Sequence, residues 1–331
     1  MMTPLSNTLS RYLDQPDRRL QRDDVRALTR LLLCAWLLSS STAIAWPGET
    51  MRTFVEQGRA TTTFDIDNDT LLLTGSDRFY TSGLRVSQSY RLRGADGWES
   101  LGWRVGQQIY TASSIQLRPE QLAALDHPYA GWIYAGMFHR REAADGSEIA
   151  YGLDLGCLGP CAGGEWSQQT LHRLLNQPRS AAWSTQIGTE LGVVLLAGGR
   201  GPYWRLGRNV DVRPGVTVRL GNIFTDLSAE ATLRAGELRP DPRSTSRYGF
   251  LRLAARGVGH DATLQGGWLN GTEARTVSPK RLTGELELGM QWQAPQWALR
   301  VSVVRRGNEI RGLSEADGRQ DFLRLSIAFT R

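Results

Sequence analysis

Apolar and polar side chains alternate along most of the chain beyond residue 60. Within 281–292, for example, Leu286 and Leu288 share one face of an extended segment, whereas Glu285 and Glu287 share the other. This period of two residues is typical of β-strands, because successive side chains of a strand point to opposite faces. The pattern predicts strands at 61–68, 80–92, 101–111, 131–141, 148–157, 183–197, 205–220, 223–235, 247–264, 281–292, 296–307 and 320–330.

Two features of these twelve segments favour a membrane barrel. They are about ten residues long and carry charges on the polar face, as in strands that turn apolar side chains to lipid and polar ones to a lumen. Their even number also matches a closed bacterial barrel. We therefore predict an all-β fold, a twelve-stranded antiparallel transmembrane β-barrel. A soluble β-sandwich or a lipocalin-like barrel has the same period and stays open at this point.

The connections between the predicted strands alternate in length, as in bacterial outer-membrane barrels. Short turns are assigned to the periplasmic end, at 93–99, 142–147 and 293–295. Longer connections are assigned to the outer end, at 69–79, 112–130, 158–182, 265–280 and 308–319. The short connection 221–222 and the long connection 236–246 depart from this alternation.

One outer connection has the pattern of a helix. Within 163–176, Trp166, Thr170 and Leu174 recur every four residues, and Pro178 follows the segment. Two glycines precede it, and proline after the last periodic residue is a common stop signal. The sequence predicts a short amphipathic helix in this outer loop.

The first 45 residues have the pattern of an export signal. Arg26 and Arg30 precede an apolar run at 31–38, and small residues up to Ala45 supply a cleavage site. The run is too short to cross a bilayer, and no later run approaches the roughly 18 residues that a membrane helix needs. We expect 1–45 to be a signal peptide and 46–331 to form one barrel domain. An overextended start would explain why the first 25 residues are long and polar for a signal peptide.

Composition narrows the class of partner. Without the first 45 residues the chain keeps 33 basic and 29 acidic residues, a net charge of +4 that no segment concentrates. That balance excludes the basic excess typical of nucleic-acid-binding proteins, and no protein partner is implied. Two cysteines remain, Cys157 and Cys161, and an even count in an exported protein suggests one disulfide.

Of the four histidines, His172 stands out because it lies on the predicted helix. Gln168 and Glu165 precede it by four and seven residues and so share its face. A histidine held beside polar neighbours can act as a general base near neutral pH. The alternative is an ordinary solvated helix face.

Two further polar groups fall at the same end of the predicted barrel. Asp65, Asp67 and Asp69 share one face of the first strand and Asn68 lies on the other, and such oxygen donors suit Ca²⁺. The spacing is not that of an EF-hand, and an acidic turn at a strand end is the plainer interpretation. The segment 77–83 opens the second strand. Three polar groups at one rim predict a site there.

These segments resemble a known family, the outer-membrane lipid A 3′-O-deacylases (LpxR). The resemblance rests on Asn68-Asp69 and on DRFYTSGLRVS at 77–87, GQQIYT at 106–111, HPYAGWIYAG at 127–136, LGPCAGGEWSQQTLHRLL at 158–175 and AAWSTQIGTEL at 181–191. It implies a twelve-stranded barrel in the bacterial outer membrane. It further implies a Ca²⁺-dependent esterase site between the barrel wall and a loop helix, acting on lipid A of outer-leaflet lipopolysaccharide.

The functional residues of that family fall on five positions of this sequence. The resemblance implies that His172 activates water, with Gln168, Thr81 and Asn68 as further catalytic residues. It also implies that Asp69, together with Asn68, holds the Ca²⁺.

Two departures from the family pattern matter. The second outer loop reads SSIQLRPEQ at 113–121, so Arg118 is its only basic residue, and we assign Arg118 to substrate binding. Cys157 and Cys161 flank Gly159-Pro160, where we predict a disulfide that fixes the base of the catalytic loop.

Two other functions remain open. One is a non-catalytic barrel, porin-like or structural. The other is an outer-membrane phospholipase with a serine nucleophile, although the sequence contains no G-x-S-x-G elbow.

Overall fold

The computed structural model describes residues 47–72, 78–238, 245–269 and 275–331. The chain divides into two compact units, 1–50 and 51–331. In the first unit only 47–50 are described, as the start of helix α1 (Pro47–Gln57). The predicted signal peptide therefore lies outside the described residues. In the described part of the chain, no helix is long and apolar enough to cross a membrane.

The second unit contains a closed antiparallel barrel, as predicted. Within the described residues it has twelve long strands: β1 Arg59–Asn68, β2 Phe79–Gly94, β3 Gly97–Thr111, β4 Ala130–Ala143, β5 Glu148–Leu158, β6 Glu190–Arg200, β7 Val210–Gly221, β8 Phe224–Glu237, β9 Ser246–Asp261, β10 Leu282–Ala294, β11 Trp297–Arg306 and β12 Gln320–Thr330. Each strand pairs with its neighbours in sequence, and β1 pairs with β12, so the sheet has no free edge. A two-residue strand, Trp204–Arg205, lies beside β7.

Side-chain orientation decides between the membrane barrel and the soluble alternatives. On β10, Leu286 and Leu288 are exposed on the outer surface. Glu287 is buried in the lumen, where Arg252 and Arg324 donate to its carboxylate over 2.8 and 3.1 Å. A soluble barrel would place the leucines inside, because water would then surround it. This arrangement is that of a barrel whose outer solvent is lipid.

Three predicted strand boundaries were wrong. The segment 183–197 begins as a strand only at Glu190, because Trp183–Thr185 forms a 3₁₀ turn whose tryptophan is buried. The segment 205–220 forms a continuous strand only from Val210. The segment 247–264 leaves the sheet after Asp261, whose carboxylate accepts the Thr263 N–H over 3.1 Å and caps a short helix.

The predicted loop helix is present as α2 (Gly164–Leu174). The sequence analysis did not predict helix α1. The remaining described elements are single turns, at Thr70–Leu72, Pro119–Gln121, Pro160–Ala162, Trp183–Thr185, Ala262–Gln265 and Glu315–Gly318.

The barrel interior has two zones. Near the end with the longer loops, which we call the outer end, an apolar cluster that includes Tyr80, Tyr110, Trp132 and Phe224 fills the space between the strands. A polar cavity of about 650 Å³ continues from it and is lined largely by arginine and carboxylate side chains. The apolar cluster fixes the outer ends of β2, β3 and β4, which carry the site described next.

Candidate active site

The end of β1 brings three of the predicted residues together. The Thr81 carbonyl accepts the Asn68 side-chain amide and the Asp69 backbone N–H, each over 3.4 Å. A bulge in β2 between Tyr80 and Ser82 removes Thr81 from the regular register with β3. Thr81 and Asp69 are both buried, at 3% and 2% exposure. Asn68, Asp69 and Thr81 therefore form one compact group at the outer rim.

The rest of the acidic segment does not belong to this group. Asp65 and Asp67 line the lumen, where they pair with Arg85 and Arg324 at 2.8 and 2.9 Å. Alternation predicted one face for Asp65, Asp67 and Asp69, which is confirmed for the first two and wrong for Asp69. Asp69 lies beyond the last residue of β1, so its carboxylate is directed by the following turn, where it accepts the Arg78 N–H over 2.7 Å.

A second threonine joins this group to β3. The hydroxyls of Thr81 and Thr111 are 2.7 Å apart, and Thr111 is fully buried at the end of β3. The sequence analysis did not single out Thr111. The two residues are far apart in sequence, and only the pairing of β2 with β3 brings them together.

The loop that carries α2 is fixed by a tight turn. Cys157 and Cys161 form a disulfide with their α-carbons 6.0 Å apart, and the turn Pro160–Ala162 lies between β5 and the helix. Gly159 has a φ of 86°, and a β-carbon there would lie 2.4 Å from the Gly188 carbonyl oxygen. Only glycine fits this position without strain.

Helix α2 lies against the outer wall of the barrel. Trp132 points into the barrel, so its neighbour Gly131 faces outwards. A β-carbon on Gly131 would lie 3.1 Å from the Ala162 Cβ and 3.3 Å from Gly164. Gln107 on β3 donates its side-chain amide to the Ala162 carbonyl over 2.7 Å. The absence of a side chain at residue 131 lets the loop approach the wall this closely.

The buried face of α2 is polar. His172 is 5% exposed, and its Nδ1 lies 2.5 Å from the Pro178 carbonyl oxygen. Because a carbonyl only accepts, Nδ1 carries the proton, and in the neutral ring Nε2 keeps its lone pair. Gln168 is also buried, and its Oε1 accepts from Ser180 Oγ over 2.9 Å and from Trp183 Nε1 over 2.8 Å.

Packing links the helix to the threonine pair. Trp183, which donates to Gln168, packs edge-on against Tyr129 with ring centroids 5.1 Å apart. Both belong to a buried cluster that includes Ile109, two residues before Thr111 on β3. The two halves of the predicted site therefore lie on one rim and are connected through one small apolar core.

The exposed side of α2 is apolar over one flank. Trp166 and Leu174 are 72% and 77% exposed, and Leu171 is also exposed. Glu165, which the helical spacing placed on the face of His172, is exposed at the first turn. The helix thus buries its polar residues against the wall and presents apolar ones outwards, the reverse of an amphipathic helix on a water-soluble protein.

Two other residues from the sequence analysis lie outside this group. Arg118 is exposed, next to the turn Pro119–Gln121, and its guanidinium forms no ion pair with any residue the structure describes. His127 is buried beside Tyr110, with ring centroids 5.5 Å apart and nearly parallel. Burial lowers the pKa of His127, which favours a neutral packing residue.

Oxygen donors at the end of β1 fit a hard cation. The group offers the Asp69 carboxylate, the Asn68 amide oxygen and the oxygens of Thr81, which are the donor types that Ca²⁺ takes. Among the described residues, no three histidine, cysteine, aspartate or glutamate side chains are arranged as a metal site. A Ca²⁺ here would therefore depend on a single carboxylate with amide, carbonyl and water oxygens.

Comparison with solved structures supports the fold. LpxR from Salmonella typhimurium matches 81% of this chain and 99% of its own length at 23% identity, with a TM-score of 0.69. The β-domain of the Bordetella autotransporter BrkA matches 82% of this chain and 98% of its own at 10% identity, with a TM-score of 0.47. The second likeness is too weak to carry an argument. No curated protein matches the sequence.

The family comparison covers more of the chain than the motifs do. The sequence profile described as outer membrane protein LpxR matches residues 31–330. This range includes all twelve strands, helix α2 and the group at the end of β1. The chain therefore belongs to the LpxR family of outer membrane proteins.

Proposed function

We propose that this protein is an outer-membrane esterase that removes the 3′-linked acyl chains of lipid A, with His172 as the general base. The observation that carries the proposal is the position of His172. It is buried on α2, the helix whose first turn packs against Gly131 of the barrel wall, and the same helix has an exposed apolar flank. A lipid in the outer leaflet could reach such a site without leaving the membrane.

The hydrogen bond of the His172 ring supports its role as general base. The Pro178 carbonyl holds the proton on Nδ1, so Nε2 can accept a proton from water. As that proton leaves, the water oxygen forms a bond to the ester carbonyl carbon. Nε2 then returns the proton to the departing sugar oxygen, which leaves a free fatty acid and a hydroxyl group.

The remaining residues position this machinery. Gln168 ties α2 to the segment after it through Ser180 and Trp183, which keeps the helix at a fixed distance from β3 and β4. Asp69, Asn68 and Thr81 would hold Ca²⁺. When bound, Ca²⁺ supplies positive charge where the ester carbonyl oxygen becomes negative.

The two alternatives receive less support from the structure. A porin needs an open lumen, whereas buried apolar side chains pack against one another at the outer end of this barrel. A serine phospholipase needs a serine directed at its histidine, whereas the hydroxyl of Ser180, beside this site, donates to Gln168. Planar-bilayer conductance and labelling by a serine-reactive phosphonate would each reveal the alternative function.

The deciding experiment is mass spectrometry of lipid A from cells that express the protein, with and without Ca²⁺ chelation. We expect loss of the 3′ acyl chains with the wild type and full retention with His172→Asn. His139→Asn is the matched control, because His139 lies in β4 away from this site. An unchanged lipid A profile, with the wild-type barrel present in the outer membrane, would reject the proposal.

A further inference from the structure

A group of arginines lies beside the candidate active site, on the side opposite α2. Arg305 Nε and Arg319 Nε contact the two carboxylate oxygens of Asp321 at 2.7 and 3.2 Å. Arg78 donates from its guanidinium to the Arg319 carbonyl over 2.9 Å. We call these four residues the basic rim cluster.

The basic rim cluster lies on the outer surface of the barrel. Phe64 on β1 is exposed towards lipid and pairs with Ile327 on β12. Asp321 is an even number of residues from Ile327 and therefore shares its outward face. Arg305 pairs directly with Asp321. The side chains of Arg305 and Arg319 are 56% and 44% exposed, so a ligand can reach both.

Strand register also places the cluster next to the oxygen donors of the site. Asn68 pairs with Leu323, and Asp321 lies two residues nearer the outer end on the same face of β12. Arg78 connects the two groups, because its backbone N–H donates to the Asp69 carboxylate while its guanidinium reaches Arg319. A molecule bound at the end of β1 would therefore extend over these arginines.

Charge and geometry indicate the ligand. The cluster has three positive charges and one negative charge, an excess of two, which matches a phosphate monoester near neutral pH. One guanidinium group can bind a phosphate through two parallel hydrogen bonds. Asp321 holds the guanidinium groups of Arg305 and Arg319 in place. The outer rim is also the level at which lipid headgroups lie.

We propose that the basic rim cluster binds a phosphate group of the lipid whose ester bond is cleaved beside it. The proposal rests on the proposed function, since it assigns the headgroup of that substrate. It gives the phosphate a binding site on the β11–β12 side of the rim, whereas Arg118 would bind it from the loop between β3 and β4.

The test measures binding and turnover separately on the full-length protein in detergent. Native mass spectrometry compares the adduct formed with bisphosphorylated lipid A against that formed with the same lipid after phosphate removal. For Arg305→Gln/Arg319→Gln we expect the preference for the phosphorylated lipid to fall roughly tenfold, since charged hydrogen bonds are lost. Turnover of the dephosphorylated lipid should stay unchanged. Arg59→Gln, at the other end of the barrel, is the control and should keep the preference.

Several outcomes would overturn the proposal. The double variant could keep the wild-type preference, or lose binding of both lipids equally, or Arg118→Gln could abolish the preference in its place. A wild-type protein that prefers the phosphorylated lipid but cleaves neither would reject the proposed esterase and retain the phosphate site. Cleavage of both lipids without any preference for the phosphorylated one would retain the proposed esterase and reject the phosphate site.

Discussion

Gly131→Val should uncouple α2 from the barrel wall while the barrel still folds. A β-carbon at residue 131 would lie 3.1 Å from the Ala162 Cβ, whereas carbon atoms in contact usually stay about 3.5–4.0 Å apart. Alanine therefore requires the loop to retreat by roughly 0.5 Å. The two γ-carbons of valine extend about 1.5 Å beyond Cβ, which requires a retreat on the order of 1 Å. His172 would move with the helix, away from the threonine pair.

Such a movement of His172 should lower the rate of deacylation. A displacement of about 1 Å between reacting groups lowers a rate roughly 10²-fold. We therefore expect about 10²-fold slower deacylation for Gly131→Val and a smaller loss for Gly131→Ala. The assay is release of fatty acid from lipid A by purified protein, with heat-modifiable gel migration as the measure of barrel folding.

Gly207→Val is the matched control, because a β-carbon on Gly207 meets no other atom within 4 Å. It should leave both activity and folding unchanged. Wild-type activity in a folded Gly131→Val protein would refute the idea that close contact with the wall positions the helix. If Gly131→Val does not fold, Gly131→Ala provides the test, because it should fold and still lose part of its activity.

Three further predictions concern the same end of the barrel. Trp183→Phe removes the indole N–H that donates to Gln168 Oε1 and leaves the Ser180 hydroxyl in place, at a cost of about 0.5–1.5 kcal/mol. Amide exchange in 164–174 should therefore accelerate, and exchange at the wild-type rate would contradict this role. Burial lowers the pKa of His127 below its ordinary value of about 6.5, so the unfolded chain takes up a proton first, and stability should be complete above about pH 6.5 and decline below it. Thermal midpoints of the wild type should show this decline and those of His127→Phe should show less of it, and parallel curves would reject the assignment. The disulfide Cys157–Cys161 closes a short loop, worth about 2 kcal/mol through the unfolded chain; the denatured, unreduced barrel should show no free thiol from this pair, and two titratable thiols would contradict the pairing.

The barrel could be predicted from sequence because each strand has one lipid-facing and one lumen-facing side. On β10 the alternation of Leu286 and Leu288 with Glu285 and Glu287 is visible without any partner strand. The prediction failed where a segment is buried without being a strand. Trp183 is apolar and buried, but it lies in a turn and not in a strand. It packs on Tyr129 and donates to Gln168, and the sequence alone does not show that these residues are neighbours.

The site was less accessible to sequence reasoning than the barrel. His172 and Gln168 share a helix face, so their proximity followed from spacing. The hydrogen bond between the Thr81 and Thr111 hydroxyls depends on strand register and on a bulge. The alternation of apolar and polar residues specifies neither of them. The Pro178 carbonyl that fixes the His172 ring is a backbone group and leaves no side-chain signal.

Helix α2 shows why the surrounding solvent must be known before an amphipathic pattern can be interpreted. The spacing of Trp166, Thr170 and Leu174 predicts one apolar side, and on a water-soluble protein that side would pack inwards. Here the polar side packs inwards with Gln168 and His172, while Trp166 and Leu174 are exposed. The strands of the barrel show the same inversion. If one apolar solvent explains both, we expect the exposed flank of α2 to face the acyl chains of the outer leaflet and the polar face to hold the group that activates water.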